Sequence, residues 1–222
     1  YHNGGARYNP TYIQGVGIAT VADSLAALKY HVFDKGGISM PQMLAAVRAN
    51  FDGHDRLLHD LREHTPKYGN DDDYADTIVE EVFNAYYELL NGRANTKGGR
   101  YRVNLLPTTV HIYFGSVVGA LPNGRRAGEP LSDGISPSQG SDRQGPTAVV
   151  KSAAHIDHAR TGGTLLNMKF NPQVLDGEGG IEKLAHLIRT YFSMDGHHVQ
   201  FNVVDAETLR RAQEHPEMNR DL

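Results

Sequence analysis

The chain has 222 residues, a formal net charge of −4, a pI near 6.3 and no cysteine. This length allows one large domain or two small ones, and the slight acidity gives no electrostatic case for binding nucleic acid or an anionic membrane. Without cysteine these residues cannot form a disulfide, a thiolate metal site or a cysteine nucleophile, and the apolar runs are too short to cross a bilayer.

Helices dominate the predicted elements of the first half of the chain. Residues 3–15 are rich in glycine and tyrosine and predict a structured loop. Apolar side chains at helical spacing and capping signals predict the next elements. They are helices over 16–33, from Ser39, from Asp52 or Gly53, and from residues 71–73 to Gly92.

The second half alternates runs of β-branched and aromatic residues with helical patterns. The predicted elements are strands over 101–106 and 110–118, a polar stretch over 121–146, a helix over 147–158, a strand over 164–170, a helix over 181–194, a strand over 197–204 and a helix from Asp205 to about Gln213. This alternation favours an α/β architecture. A polar stretch of this length is usually functional or packed against something else.

Aspartate and histidine clusters are the first candidates for a metal site. Residues 71–73 with Asp76 offer hard oxygen ligands. Carboxylates are also favoured at a helix N-terminus, and we expect that structural role here. Residues 197–198, and His155 with His158, lack the ligand spacing of a zinc or non-haem iron site.

The glycine pairs do not form a nucleotide-binding motif. No GxxxxGK[ST] is present and no GxGxxG follows a strand, so tight turns are the simpler interpretation. Residues 161–164, TGGT, offer backbone N–H groups suited to a carboxylate or phosphate. The sequence contains no GxSxG motif, so it does not support catalysis by a Ser-His-Asp triad.

The segment 104–109, NLLPTT, lies at the junction of the two predicted strands over 101–106 and 110–118. Hydroxyl groups at a strand end, beside an apolar interior, are suited to orienting a small molecule in a pocket. Alternatively, Thr108 and Thr109 only satisfy backbone groups at a strand break. The residues alone leave both interpretations open.

Ordered sequence blocks cover nearly the whole chain. They are NGGARYN (3–9), YIQGVGIATVADSL (12–25), PKYGNDDDYAD (66–76), GRANTKGGRYRVNLLPTT (92–109), YFGSVVGALPNGRRAG (113–128), SDGISPSQGSD (132–142), GPTAVVKS (145–152), TGGTLLN (161–167) and DGHHVQFNVVD (195–205). Together they resemble the glycyl radical enzymes related to pyruvate formate-lyase. YIQGVG and HHVQFNVVD are most similar to members that dehydrate trans-4-hydroxy-L-proline, while glycerol and propanediol dehydratases and formate acetyltransferases share many of the other blocks.

The resemblance implies an α/β fold that is part of a ten-stranded barrel surrounded by helices. Residues 1–222 would be its C-terminal portion, ending just before the glycyl radical loop. It also implies that no cofactor is bound directly. A radical S-adenosylmethionine enzyme with an iron–sulfur cluster would install a protein-based glycyl radical, and a cysteine thiyl would abstract hydrogen from a small-molecule substrate. The complete enzyme is expected to be a cytoplasmic, anaerobic homodimer.

The family's catalytic cysteine and radical glycine match no residue of this chain. We therefore expect no catalytic or metal-binding residue within it, and no activity from these residues alone. Thr108 resembles a position that lines the substrate cavity in the dehydratases, and Leu105 and Pro107 are further candidates for the same wall.

Dehydration of trans-4-hydroxy-L-proline is the favoured activity of the complete enzyme. Dehydration of glycerol or another diol, and formate C-acetyl transfer, are the alternatives. The chain does not begin with Met, and its first residues resemble the middle of a folded segment, which predicts a fragment. A non-catalytic barrel or interaction subunit is the alternative from a different class.

Overall fold

The computed structural model of the chain describes residues 10–215 and 217. The strands are β1 (Thr11–Gln14), β2 (Tyr101–Asn104), β3 (Leu166–Phe170) and β4 (Val199–Val203). The helices are α1 (Ile18–Leu28), α2 (Met40–Arg48), α3 (Asp55–Glu63), α4 (Asp73–Leu90), α5 (Val110–Val117), α6 (Pro146–Ala153), α7 (Gly177–Ser193) and α8 (Ala206–Glu214). The predicted α/β class is confirmed.

The strands form two parallel pairs. β1 pairs with β2 from Thr11 opposite Tyr101, and β3 pairs with β4 from Leu166 opposite Val199. A parallel bridge between Leu105 and Thr164 connects the two pairs. The order across the described strands is therefore β1-β2-β3-β4, and their carboxyl ends point the same way.

The two faces of these strands differ in chemistry. One face carries buried apolar side chains, namely Val103, Leu105, Leu166, Met168 and Phe170. Because side chains alternate along a strand, the residues between them lie on the opposite face. These include Arg102, Lys169 and a group of amides in adjacent registers, namely Gln14, Asn104, Asn167, Gln200 and Asn202. Parallel sheets are usually apolar on both faces, so the amide face indicates a polar space beside the strands.

Helices α1 and α4 pack together over the apolar face. The small side chains of Ala19, Ala22 and Ala26 on α1 are fully buried, as are Val79 and Phe83 on α4. Because the alanine side chains of α1 are small, α4 can lie close to α1. The larger side chains of α4 then fill the space between the two helices. Among residues 10–215 and 217, no helix combines the length and apolar character needed to span a membrane.

The predicted helix starts at Ser39 and Asp205, and the start within residues 71–73, are confirmed. The Ser39 hydroxyl accepts from the Gln42 N–H, and the Gln42 side chain accepts from the Ser39 N–H, which completes a capping box. Asp205 accepts from the Thr208 N–H at 2.6 Å. Asp72 caps α4 by accepting from the Tyr74 N–H.

The predicted strand over 110–118 is wrong, because these residues form helix α5. The β-branched and aromatic side chains favour a strand, but tertiary contacts at both ends of the segment select the helix. The predicted loop over 3–15 is also wrong in part, because Thr11–Gln14 form β1. Residues 3–9, including the block NGGARYN, lie outside the described residues.

The polar stretch over 121–146 packs tightly against α1, as its length suggested. Thr20 and Ser132 exchange hydrogen bonds, each hydroxyl accepting the other residue's N–H, at 2.8 and 3.1 Å. The buried carboxylate of Asp23 accepts from the Ser138 hydroxyl and from the Tyr68 N–H. Burial raises the pKa of Asp23, so these two donors offset part of the cost of its charge.

Asp76 on α4 has a buried carboxyl group that makes the stability of the fold depend on pH. The Ser152 hydroxyl donates to its Oδ2 at 2.8 Å, while Oδ1 has no hydrogen-bond partner among the described residues. Burial raises the pKa of Asp76 from 3.8 to about 6. A carboxyl group with a raised pKa destabilises the fold when ionised. That cost is present above pH 6 and disappears as the pH falls towards 4.

We expect Asp76→Asn to raise the free energy of unfolding by about 2 kcal/mol more at pH 8 than at pH 4, because the amide never ionises. Urea unfolding at both pH values measures this difference, and all other titrating groups cancel in it. The exposed Asp73 supplies the control, since Asp73→Asn should show no such gain. A pH-independent effect of Asp76→Asn would contradict the burial argument.

Candidate functional site

The segment Leu105–Thr109 turns the chain from the end of β2 into α5. Leu105 is still paired like a strand residue, since its N–H donates to the Gly163 carbonyl and its carbonyl accepts from the Leu165 N–H. Pro107 has no N–H to continue that pairing. The LPTT segment is therefore a strand-to-helix turn at the carboxyl end of β2, not the predicted junction of two strands.

Thr108 occupies a strained conformation in this turn. Its φ of 53° lies in the left-handed region, which costs an L-residue about 1–2 kcal/mol and is a genuine outlier for a β-branched side chain. Its hydroxyl donates to the Pro107 carbonyl at 2.7 Å, which leaves the oxygen lone pairs to accept from a ligand. The side chain is exposed. Strain of this kind concentrates at ligand-binding sites.

Leu105 and Pro107, the other predicted wall residues, lie differently. The Leu105 side chain is 1% exposed and belongs to the apolar core, where it lies against Gly15. Pro107 is buried beneath the turn. Of the three predicted residues, Thr108 alone is both exposed and polar. The pocket role of all three stays a prediction.

A buried polar network lies beneath Thr108. His111 Nδ1 is 3.1 Å from the Thr108 carbonyl oxygen and 3.6 Å from Asp133 Oδ1. The Asn167 side-chain amide donates to Asp133 Oδ2, and the Asn167 N–H donates to the Ser136 hydroxyl at 2.9 Å. These contacts connect the turn to the 121–146 stretch and to the amide face of β3.

Arg125 fixes the far end of α5. Its side chain is buried, and among the described residues its guanidinium group donates only to main-chain carbonyls, those of Gly115, Val118, Gly119, Glu129 and Pro130. Carbonyls at a helix C-terminus have no partner within the helix. Arg125 therefore caps α5 and binds the following loop to it at the same time.

The other sequence candidates have structural partners. Asp71 pairs with Lys151 at 2.6 Å. In TGGT, the Gly162 N–H donates to the Val103 carbonyl and the Gly163 N–H to the Thr161 hydroxyl, so these two groups are not free for an anion. His158 Nδ1 lies 2.7 Å from the Thr164 hydroxyl, and burial lowers the pKa of this histidine.

The sequence interpretation missed His111, Asp133 and Arg125. His111 lies in a run whose β-branched and aromatic residues predict a strand, so its position in the first turn of helix α5 is not evident from the sequence. Asp133 and Arg125 lie in the polar stretch, where no local period marks a residue as buried. A buried charge in such a stretch is recognised only when its distant partners are known.

Two family models match the chain, and several known proteins are similar to it. Residues 1–115 match the family model Pyruvate formate lyase-like, and residues 131–222 match the model Glycine radical. The trans-4-hydroxy-L-proline dehydratase of Clostridioides difficile is 57% identical over 222 residues, which is 100% of this chain and 28% of that protein. Its crystal structure with trans-4-hydroxy-L-proline bound matches with a TM-score of 0.95.

More distant relatives match over nearly the same span. The probable dehydratase YbiW of Escherichia coli is 41% identical over 229 residues, covering 99% of this chain and 28% of that protein. The glycerol-bound B12-independent glycerol dehydratase from Clostridium butyricum is 42% identical with a TM-score of 0.91, over 99% of this chain and 28% of that one. The chain thus spans 28% of the length of these relatives.

Proposed function

Because the chain belongs to the pyruvate formate lyase-like family, we propose that it supplies part of the barrel and substrate pocket of a glycyl radical enzyme that dehydrates trans-4-hydroxy-L-proline. The observation that carries the substrate is the match over the whole chain, at 57% identity, to a dehydratase of that compound. In this proposal the chain is the C-terminal portion of the barrel domain, working in an anaerobic cytoplasm.

Two features of the surface support a place within a larger barrel. The amide face of the strands suits a polar interior. Helix α5 presents large apolar side chains to the outside, among them Ile112, Tyr113 and Val117, with Tyr113 66% exposed. Contiguous exposed apolar side chains usually mark a contact surface. We infer that other parts of the complete enzyme cover α5.

The chain's own task in this proposal is to bind and orient the substrate and to exclude water. The hydrogen abstraction itself would be supplied by a protein-based glycyl radical and a cysteine thiyl. This chain has no cysteine, so that thiol belongs to another part of the enzyme. A radical S-adenosylmethionine enzyme is the proposed activating partner, and a homodimer is the proposed assembly. Thr108, with Leu105 and Pro107 behind it, is the proposed wall of the pocket.

The proposal is tested with the complete polypeptide that carries this chain, activated anaerobically by its radical S-adenosylmethionine partner. We expect conversion of trans-4-hydroxy-L-proline to pyrroline-5-carboxylate. Glycerol, propane-1,2-diol, and pyruvate with coenzyme A are assayed in parallel. Turnover of a diol instead would favour the second candidate, which the likeness to a glycerol dehydratase supports. No turnover of any of them by a polypeptide that carries the radical would contradict an enzymatic role.

Removing the Thr108 hydroxyl tests the pocket wall. Thr108→Val keeps the β-branched shape and therefore the same backbone strain, but deletes one hydrogen-bonding group. We expect KM for the substrate to rise about tenfold, since a lost hydrogen bond to a charged ligand is worth about 1.5 kcal/mol or more. Thr109→Val is the matched control, because Thr109 is also exposed and makes no side-chain cap to α5. Equal effects of both variants would remove Thr108 from the pocket.

A further inference from the structure

The strained backbone of Thr108 needs a partner that holds it in place. A β-branched residue keeps a positive φ only where its surroundings leave it no other choice. The bond from its own hydroxyl to the Pro107 carbonyl is local and restrains the side chain more than the backbone. The Thr108 carbonyl, by contrast, lies 3.1 Å from Nδ1 of His111, three residues further on in the first turn of α5.

The surroundings of His111 determine which ring nitrogen carries the hydrogen. Both neighbours of Nδ1 are acceptors, namely the Thr108 carbonyl at 3.1 Å and Asp133 Oδ1 at 3.6 Å. Two acceptors require a donor between them, so Nδ1 carries the hydrogen. Asp133 Oδ1 is buried and has no closer partner among the described residues, so its charge favours this tautomer.

The ring of His111 is also held in place. The imidazole is buried, and the His111 carbonyl accepts from the Leu131 N–H at 3.1 Å. Asp133 is fixed in turn by the Asn167 amide on β3. The same short loop therefore aligns the backbone of His111 and the carboxylate beside its ring.

We propose that His111, with its tautomer set by Asp133, is a positioning residue that holds Thr108 in its left-handed conformation and so aims the Thr108 hydroxyl oxygen at the substrate. This inference rests on the proposed function for its substrate. His111 makes no contact with the ligand in this scheme and takes no part in the radical chemistry. Its loss should therefore weaken substrate binding and leave the chemical step intact.

Two substitutions in the complete enzyme separate positioning from packing. His111→Leu fills the space without a donor, whereas His111→Asn places an amide nitrogen on Cγ, where Nδ1 stands. We expect His111→Leu to raise KM at least tenfold with kcat within about threefold of wild type, and His111→Asn to restore most of the loss. A purely structural histidine would give a different result: both variants would lower Tm, while the folded fraction would keep the wild-type KM.

A ligand-free measurement keeps this inference separate from the proposed function. A crystal structure of the complete His111→Leu enzyme without substrate should show Thr108 relaxed to a negative φ. Retention of the positive φ in that structure would overturn the inference, whatever the substrate is. Failure of the wild-type enzyme to bind or convert trans-4-hydroxy-L-proline would instead overturn the proposed function, and the Thr108 φ in the variant would still decide the role of His111.

Discussion

Replacing Arg125 by methionine should lower the free energy of unfolding by about 4 kcal/mol, because several buried carbonyls would lose their donor and an unsatisfied buried polar group costs about 1–3 kcal/mol. Methionine approximates the aliphatic length of arginine but donates no hydrogen bond. The carbonyls of Gly115, Gly119, Glu129 and Pro130 would lose the Arg125 donor, whereas the Val118 carbonyl would keep the Gly128 N–H. Arg125 is 5% exposed, so water cannot easily replace it.

Urea unfolding of the chain measures this effect, with Arg143→Met as the matched control. Arg143 also forms a two-pronged contact, with the Glu63 carboxylate, but does so at the surface. Exposed ion pairs contribute about 0–1 kcal/mol, so the control should lose little. Comparable losses for the two variants would show that burial does not determine the role of Arg125.

The local sequence predicted the elements whose causes are local. Ser39 and Asp205 start helices because their side chains satisfy N–H groups within the next three residues. The strand at β2 follows from its aromatic and β-branched residues, Tyr101 and Val103. These signals do not depend on the rest of the chain, and the structure confirms the elements that they predict.

Helix α5 shows where local patterns fail. Its residues Val110, Ile112 and Tyr113 have the composition of a strand. The groups that select the helix come from the distant loop, where Arg125 caps its C-terminus and Leu131 donates to the His111 carbonyl. Tertiary contacts of this kind outweigh the strand propensity of the residues. No pattern within residues 110–118 predicts these contacts.

In the candidate site, too, some features could be predicted from the local sequence and others could not. The LPTT segment and its family resemblance indicate Thr108 from the sequence alone. The left-handed backbone of Thr108 could not be predicted, because it depends on His111 and, through that ring, on Asp133 far along the chain. Sequence therefore indicated Thr108 as the candidate pocket residue, whereas its strained backbone and its contact with His111 required the structure.

Gly115→Ala should destabilise the chain by about 3 kcal/mol, the upper end of the usual cost of overpacking. Gly115 lies within α5, where helix propensity alone predicts that alanine stabilises by about 1 kcal/mol. The loop crosses the helix at this residue. The three atoms nearest to a Cβ there are all main-chain atoms, namely the Glu129 carbonyl oxygen, Pro130 Cα at 2.7 Å and Leu131 N at 3.0 Å. Main-chain atoms cannot swing aside as a flexible side chain can.

The sign of the Gly115→Ala effect therefore decides between propensity and tertiary packing as the determinant of α5. Gly119→Ala is the control, because a Cβ at Gly119 meets nothing within 4 Å, and its effect should stay within about 0.5 kcal/mol. Urea unfolding of both variants gives the comparison. If Gly115→Ala stabilises the chain, the loop does not lie against the helix at Gly115. The Arg125 cap and the Leu131 bond to His111 depend on that same contact. The proposal that His111 holds Thr108 in its left-handed conformation would then be contradicted as well.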